Sequence, residues 1–126
     1  MIRLSLPWPP SVNRIWRTPN KGPLAGRTML STEGREYRRA VHAIALVELG
    51  RELQIESRLA VTIFLTPPDK RRRDIDNCAK AILDGLMHAG VYRDDCQIDA
   101  LRILRGPVRQ NDGEAFVEIT ELSEAA

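Results

Sequence analysis

The chain contains 126 residues, with 19 Lys plus Arg against 17 Asp plus Glu, so a formal net charge of +2 does not by itself indicate a nucleic-acid partner. Hydrophobic residues make up 43% and charged residues 29%, a balance that is typical of a folded globular protein and argues against disorder. This length fits one domain over residues 1–126.

Neither a membrane span nor an export signal is predicted. The sequence has no run of 18 apolar residues, and its first ten residues lack the long apolar segment of a signal peptide. Its two cysteines, Cys78 and Cys96, form no C-x-x-C motif, which favours a reducing, cytoplasmic compartment.

The first predicted element is a strand, in which Ile2, Leu4 and Leu6 alternate with polar residues. Prolines end this strand, and residues 9–30 form a long proline-containing connection of the kind that is functional or mobile in compact domains.

A helix is predicted next, with Ser31 or Thr32 as its N-cap. Tyr37 and Val41 begin an apolar series at helical spacing, and Gly50 either ends or briefly interrupts the helix.

The second half of the chain predicts a strand, a helix and two further strands. In residues 58–66 the side chains that would point to either face of a strand are largely apolar, which predicts a central strand covered on both faces. A second helix is predicted within 74–90, where apolar residues recur at helical spacing. Strands at 96–107 and 114–122 are joined by turn residues, which predicts a hairpin. The expected fold is a compact α/β domain with a small mixed sheet of about four strands and two main helices, in the order β-loop-α-β-loop-α-β-β.

Two aspartates, Asp74 and Asp76, stand at the start of the second helix. Residues two apart point to opposite sides of a helix but to the same side of an extended chain. Both therefore serve one site only if Asp74 lies before the helix or at its cap, where the helix N-terminus also stabilises negative charge. Farther along, Asp94, Asp95 and Asp99 precede or begin a strand that is expected to return toward the same helix.

Converging carboxylates repel one another unless a cation lies among them, and Mg²⁺, which prefers oxygen ligands, is the natural candidate. Lys80 follows Asp76 by four residues and so lies on the same helix face, where it would hold a phosphate or stabilise developing charge. Simpler interpretations stay open: Asp74 as a helix cap, Asp94 and Asp95 as turn residues, Lys80 as a solvated helix lysine.

Four consecutive cations, Lys70–Arg73, directly precede Asp74. Such a run is either a solvated loop or a surface that binds phosphates. Its position beside the carboxylates favours phosphate binding, and the two features together indicate metal-dependent phosphodiester cleavage. With no partner on the protein, the four cations are expected to be mobile in the absence of DNA.

Three segments, PWPPSVNRIWR, PPDKRRRDIDNCAKAILDGL and AGVYRDDCQI, resemble in order the signatures of the RusA-type Holliday junction resolvases over most of the chain. The resemblance implies a small homodimeric endonuclease that depends on Mg²⁺, with Mn²⁺ as a substitute, and uses no organic cofactor. It further implies binding of four-way junction DNA, paired symmetric nicks in recombination and repair, and a cytoplasmic, nucleoid-associated location without membrane contact.

The resemblance also implies roles for individual residues. The metal ligands match Asp74, Asp76 and Asp95, the essential lysine matches Lys80, and Asn77 and Asp94 are candidate supporting residues. The expected DNA-binding residues are Asn13, Arg14, Lys70, Arg71, Arg72 and Arg73. Asp99 has no counterpart, and Trp16 stands near a position where tyrosine is common, so the role of the 9–30 loop stays open.

Two other functions remain as alternatives at this point. One is a catalytically silent module that only binds branched DNA, which the presence of all three matched aspartates and Lys80 argues against. The other is a metal nuclease acting on flaps or forks, which the sequence does not separate from a junction nuclease.

Overall fold

The computed structural model of the chain describes residues 1–110 and 112–122. It forms a small mixed α/β domain whose main elements follow the predicted order. The strands and helices are β1 (Ile2–Pro7), α1 (Val12–Ile15), β2 (Trp16–Arg17), β3 (Met29–Leu30), α2 (Thr32–Leu49), β4 (Leu59–Thr66), α3 (Asp76–His88), β5 (Ile98–Arg105) and β6 (Glu114–Glu121), with a 3₁₀ turn at Asp95–Gln97 before β5.

Local chemistry marks the start of α2 and the ends of both main helices. Ser31 caps α2, and its hydroxyl accepts a hydrogen bond from the Gly34 amide at 3.0 Å. Gly50 follows α2 with φ of 76° and Gly90 follows α3 with φ of 75°, left-handed conformations that glycine adopts without steric cost. Gly50 therefore ends the first main helix rather than interrupting it.

The four-stranded sheet has the order β1-β6-β4-β5, in which β5 runs parallel to β4 and β6 runs antiparallel to it. The predicted hairpin between the last two strands is therefore wrong, because β5 and β6 lie on opposite sides of β4. Their connection instead passes the end of β4, where the Gly106 amide donates to Leu65 at 2.7 Å and the Arg109 amide to Pro67 at 2.8 Å. Asn111, one of the residues on which the hairpin prediction rested, lies outside the described residues.

One face of the sheet carries α2 and α3, and the core lies between these two layers. The helix-facing side chains of the central strands are almost fully buried: Leu59, Val61, Ile63 and Leu65 of β4, and Ala115, Val117 and Ile119 of β6. The prediction that β4 is central is confirmed. The prediction that it is covered on both faces is wrong at Phe64, which lies on the opposite face and is 36% exposed.

The 9–30 connection contains more structure than its sequence predicts. It forms the short helix α1 and a two-stranded ribbon in which Trp16 pairs with Leu30. This segment contacts the start of α2, where the Ser31 amide donates to the Ile15 carbonyl at 2.7 Å. A Cβ on Gly34 would lie 2.8 Å from the same carbonyl oxygen, so only glycine allows α1 to approach this closely.

Within the described residues, no helix combines the length and the apolar character that a membrane crossing needs.

Candidate nuclease site

The start of α3 places Asp74 outside the helix, as predicted. The helix begins at Asp76 with Ile75 as its N-cap residue, and the Asn77 amide donates to the Asp74 carbonyl at 3.1 Å. Asp76 is exposed in the first helical turn, where the partial positive charge of the helix N-terminus favours a carboxylate.

A groove of about 880 Å³ runs beside this helix start. One wall is the segment from Pro7 to Ser11 together with α1, and the other is the basic loop that leads to Asp74. The groove brings together most of the predicted DNA-binding residues, one predicted metal ligand and one predicted supporting residue, namely Asn13, Arg14, Arg71, Arg72, Arg73, Asp74 and Asn77. Glu33 and Glu36 of α2 also line it, so both signs of charge face the cavity.

One side chain of α2, Tyr37, ties together two parts of the groove wall. The Tyr37 hydroxyl donates to the Pro7 carbonyl at 2.8 Å, which ties the end of β1 to α2. Burial, and to a smaller extent the nearby Cys78 thiol, raises the pKa of Tyr37, so the phenol stays protonated as that bond requires.

The expectation that the four cations lack partners on the protein is wrong for part of the run. Arg73 forms an ion pair with Asp69 at 2.8 Å, and its guanidinium lies 5.3 Å from the centre of the Trp8 ring. Asp69 also accepts from the Arg71 amide at 2.9 Å, and these contacts lower the pKa of Asp69. Lys70 and Arg72 are exposed, which leaves their charges directed at solvent.

A second group of charged and polar side chains lies farther along α3. The Lys80 ammonium donates to Asp84 Oδ1 at 3.0 Å, and the Asp84 side chain is only 8% exposed. Asp95 and Tyr92 lie next to Asp84, whose carboxyl group adds to the effect of burial in raising the pKa of each. Sequence reasoning missed Asp84, although its place four residues after Lys80 and eight after Asp76 puts it on the same helix face.

The carboxyl group of Asp95 has an unusual environment. Its pKa is raised from 3.8 to about 6, first because burial disfavours the charged form and next because of the adjacent Asp84, with Tyr92 and Lys80 acting in the opposite direction. Its Oδ1 atom is buried and accepts no hydrogen bond from any residue in the described ranges. A buried oxygen without a partner costs free energy unless a ligand supplies the missing interaction.

A tightly bonded turn presents Asp95. The Asp94 carboxylate accepts from the Cys96 amide at 3.0 Å, which lowers the pKa of Asp94. The buried Gln97 accepts from the amides of Arg93 and Asp94 at 3.0 and 2.8 Å. It donates to the carbonyls of Ile55 and Ser57 at 2.8 and 2.9 Å. Sequence reasoning also missed Gln97, because no pattern in the sequence indicates that its side chain donates and accepts as many hydrogen bonds as it can.

The donor chemistry fits a hard divalent cation, since it consists of carboxylates, one of which has an unsatisfied buried oxygen. The geometry of a finished metal centre is not present: among residues 1–110 and 112–122, no three His, Cys, Asp or Glu side chains are arranged to hold a metal ion. Asp74 lines the groove, whereas Asp95 belongs to the cluster with Lys80 and Asp84.

A small α/β domain that combines a cation-lined groove containing Asp74 with a separate carboxylate and lysine cluster along the adjoining helix has features expected of a nuclease. Comparison with known proteins agrees. Residues 7–120 match the family model described as endodeoxyribonuclease RusA. The crossover junction endodeoxyribonuclease of Enterobacteria phage HK97 is 40% identical over 117 residues, which covers 93% of this chain and 92% of the relative. The RusA proteins of Shigella sonnei (strain Ss046) and Escherichia coli (strain K12) are each 38% identical over 122 residues, covering 94% of this chain and 93% of the relative. The chain belongs to the RusA endodeoxyribonuclease family.

Proposed function

We propose that this chain is a metal-dependent endonuclease that resolves Holliday junctions by paired, symmetric nicks during DNA recombination and repair. Its relatives carry the name crossover junction endodeoxyribonuclease, and their alignment covers nearly all of the chain. The observation that carries the proposal is the groove, in which Asn13, Arg14 and the arginines of the basic loop line one cavity with Asp74.

In this proposal the exposed cations Lys70, Arg71 and Arg72 bind the phosphate backbone at the mouth of the groove, while Asn13 and Arg14 bind it from the opposite wall. Arg73 has a different main role, because its guanidinium is already held by Asp69 and the Trp8 ring. It braces the loop, so that the other three cations are presented together with Asp74.

Membership of this nuclease family implies a divalent metal, and we propose Mg²⁺, with Mn²⁺ as a substitute and no organic cofactor. Asp74, Asp76 and Asp95 would hold it, and the missing partner of Asp95 Oδ1 supports that assignment. A bound ion of this type lowers the pKa of a coordinated water and polarises the phosphate. Lys80, whose side chain is 49% exposed, would stabilise charge that develops on the phosphate, while Asn77 and Asp94 support the two loops that carry the carboxylates.

We further propose that the active form is a homodimer in the bacterial or phage-infected cytoplasm, associated with the nucleoid, with residues 1–126 of each chain forming one nuclease domain. A four-way junction has approximate two-fold symmetry, and two paired cuts require two sites related by that symmetry. One chain contains one groove of this kind within its described residues.

The test uses a synthetic four-way junction labelled on each strand in turn, incubated with the purified protein and either Mg²⁺ or EDTA. We expect nicks at symmetric positions on two opposing strands, only with the metal, and a dimer mass by light scattering at micromolar concentration. Linear duplex, flap and fork substrates of the same sequence are the controls. Equal cutting of flaps or forks would show that the enzyme is not selective for junctions. Binding without cutting at any Mg²⁺ or Mn²⁺ concentration would favour a silent binding module.

A single substitution separates binding from cleavage. We expect Asp76→Asn to abolish cutting but to preserve junction binding, since it removes one ligand charge and very little surface. Cleavage by this variant at the wild-type rate would contradict the metal assignment.

A further inference from the structure

Asp84 is a buried acid in a position that helix stability does not explain. Its side chain is only 8% exposed, and burying a carboxylate is costly unless it is paired. Its partner Lys80 precedes it by four residues, which is the less favourable order for an ion pair along a helix. A polar or apolar residue would stabilise this helix more simply.

The exposure of the two partners is strongly asymmetric. Lys80 keeps 49% of its side chain exposed while its ammonium lies 3.0 Å from the buried Asp84 Oδ1. The carboxylate is therefore a fixed anchor below the surface, and the lysine head lies at the surface above it. A free lysine samples many rotamers, and a fixed anchor removes much of that freedom before any substrate arrives.

The same anchor lies beside the turn that carries Asp95. Asp84 contributes to the raised pKa values of both Asp95 and Tyr92, and the Tyr92 hydroxyl donates to the Leu83 carbonyl at 2.7 Å. The turn and the helix thus meet near Asp84, which lies close to both Lys80 and Asp95.

We propose that Asp84 is a positioning residue of the nuclease site, which acts by holding the Lys80 ammonium next to Asp95. This inference rests on the proposed function, in which Lys80 stabilises charge on the phosphate. Asp84 itself touches neither substrate nor leaving group. The competing explanation is that the pair only stabilises α3.

The variants that separate these explanations are Asp84→Asn, Lys80→Met and the double variant, with Asp99→Asn as the matched control. Asp99 is paired with Arg58 on the surface, so the control also removes one aspartate charge from an ion pair. We expect Asp84→Asn to lower the single-turnover cleavage rate about tenfold to a hundredfold, as misplacement of a catalytic group does. Junction affinity, measured with Ca²⁺ in place of Mg²⁺, should change less than about twofold, which is the split expected when only the transition state is affected.

The double variant provides the decisive comparison. If Asp84 acts through Lys80, removing it after Lys80→Met costs little more, and the double variant should cleave within about threefold of Lys80→Met alone. Multiplicative losses, or cleavage by Asp84→Asn at the rate of the Asp99→Asn control, would overturn the proposal.

A readout that does not involve cleavage completes the experiment. Reductive methylation followed by mass spectrometry measures the reactivity of Lys80 against that of Lys70, which lies in the exposed loop. We expect Asp84→Asn to raise Lys80 labelling several-fold and leave Lys70 unchanged, and unchanged Lys80 labelling would overturn the proposal. If the wild-type chain cut no junction at all, the proposed function would fail, while the labelling would still decide whether Asp84 holds Lys80.

Discussion

Replacing Asp95 by asparagine should stabilise the metal-free protein while it removes the metal-binding activity that we assign to this residue. The carboxyl is partly buried, has an oxygen without a partner among the described residues, and lies beside a second carboxyl, that of Asp84. All three conditions oppose ionisation. Asparagine has nearly the same shape and no charge, so it removes the unfavourable ionised state without leaving a cavity.

The magnitude follows from the pKa of Asp95, which is raised from 3.8 to about 6 in the folded protein. Because the folded-state pKa lies above the unfolded one, the ionised carboxyl destabilises the fold: the penalty is absent below about pH 4, grows between pH 4 and 6, and is complete above about pH 7. A rise from 3.8 to about 6 corresponds to about 3 kcal/mol at most. Because the group is half exposed to solvent, screening reduces this to about 1–2 kcal/mol.

The assay is urea unfolding of wild-type and Asp95→Asn protein in EDTA at several pH values. Other acids, such as Asp69, Asp94 and Asp99, have lowered pKa values and favour the fold as pH rises, so only the difference between the two proteins isolates Asp95. We expect the two free energies of unfolding to agree near pH 4, and the variant to be about 1–2 kcal/mol more stable at pH 7.5, about 3–8 °C in melting temperature. A difference that does not change with pH, or a less stable variant at pH 7.5, would refute the reasoning. Millimolar Mg²⁺ should raise the melting temperature of the wild type and not that of the variant.

Two further predictions concern the loop and the turn. The double variant Lys70→Ala/Arg72→Ala should lose about two phosphate contacts and therefore show a shallower slope of log association constant against log salt concentration. Arg51→Ala, which removes an exposed cation beyond α2, should leave that slope unchanged. An unchanged slope in gel-shift titrations would show that Lys70 and Arg72 touch no phosphate. Gln97→Leu should destabilise the protein by about 2–4 kcal/mol in urea unfolding, because it removes the donor to the Ser57 carbonyl and the acceptor of the Asp94 amide. It should also lower cleavage more than junction binding, and wild-type stability would contradict this role.

The parts of the fold that the sequence predicts are those with a local cause. Ser31 caps α2 because its hydroxyl reaches an amide three residues on, and Gly50 ends that helix in a conformation that other residues avoid. Such features depend on a few neighbouring residues and can be read without the rest of the chain.

The features that sequence reasoning missed depend on residues far apart in the chain. The strand order separates β5 from β6 because β4 lies between them, and the turn residues in their connection carry no information about that. Arg73 belongs to a run of like charges, yet its partner Trp8 comes from the first strand's end, far away in the sequence. Asp84 is the intermediate case: its helix face follows from spacing, but its burial depends on how the Asp95 turn packs against α3.

Helix α3 therefore contributes to both parts of the candidate site, the groove and the cluster of Lys80, Asp84 and Asp95, from different sides of the helix. Asp74 and Asn77 face the groove, and Asp76, Lys80 and Asp84 recur at four-residue spacing along a second line of the same helix. In the proposed function, a DNA strand lies in the groove and passes the N-terminus of α3, which brings one phosphate near Lys80 and Asp95. We therefore propose that the start of α3 joins the DNA-binding groove to the residues assigned to cleavage. Since Arg73 and Asp84 hold the loop before the helix and the lysine within it, the two parts are ordered before DNA binds. On this reasoning, substitutions at Arg73 should weaken binding and those at Asp84 should slow cleavage, although the two residues lie on the same segment of the chain.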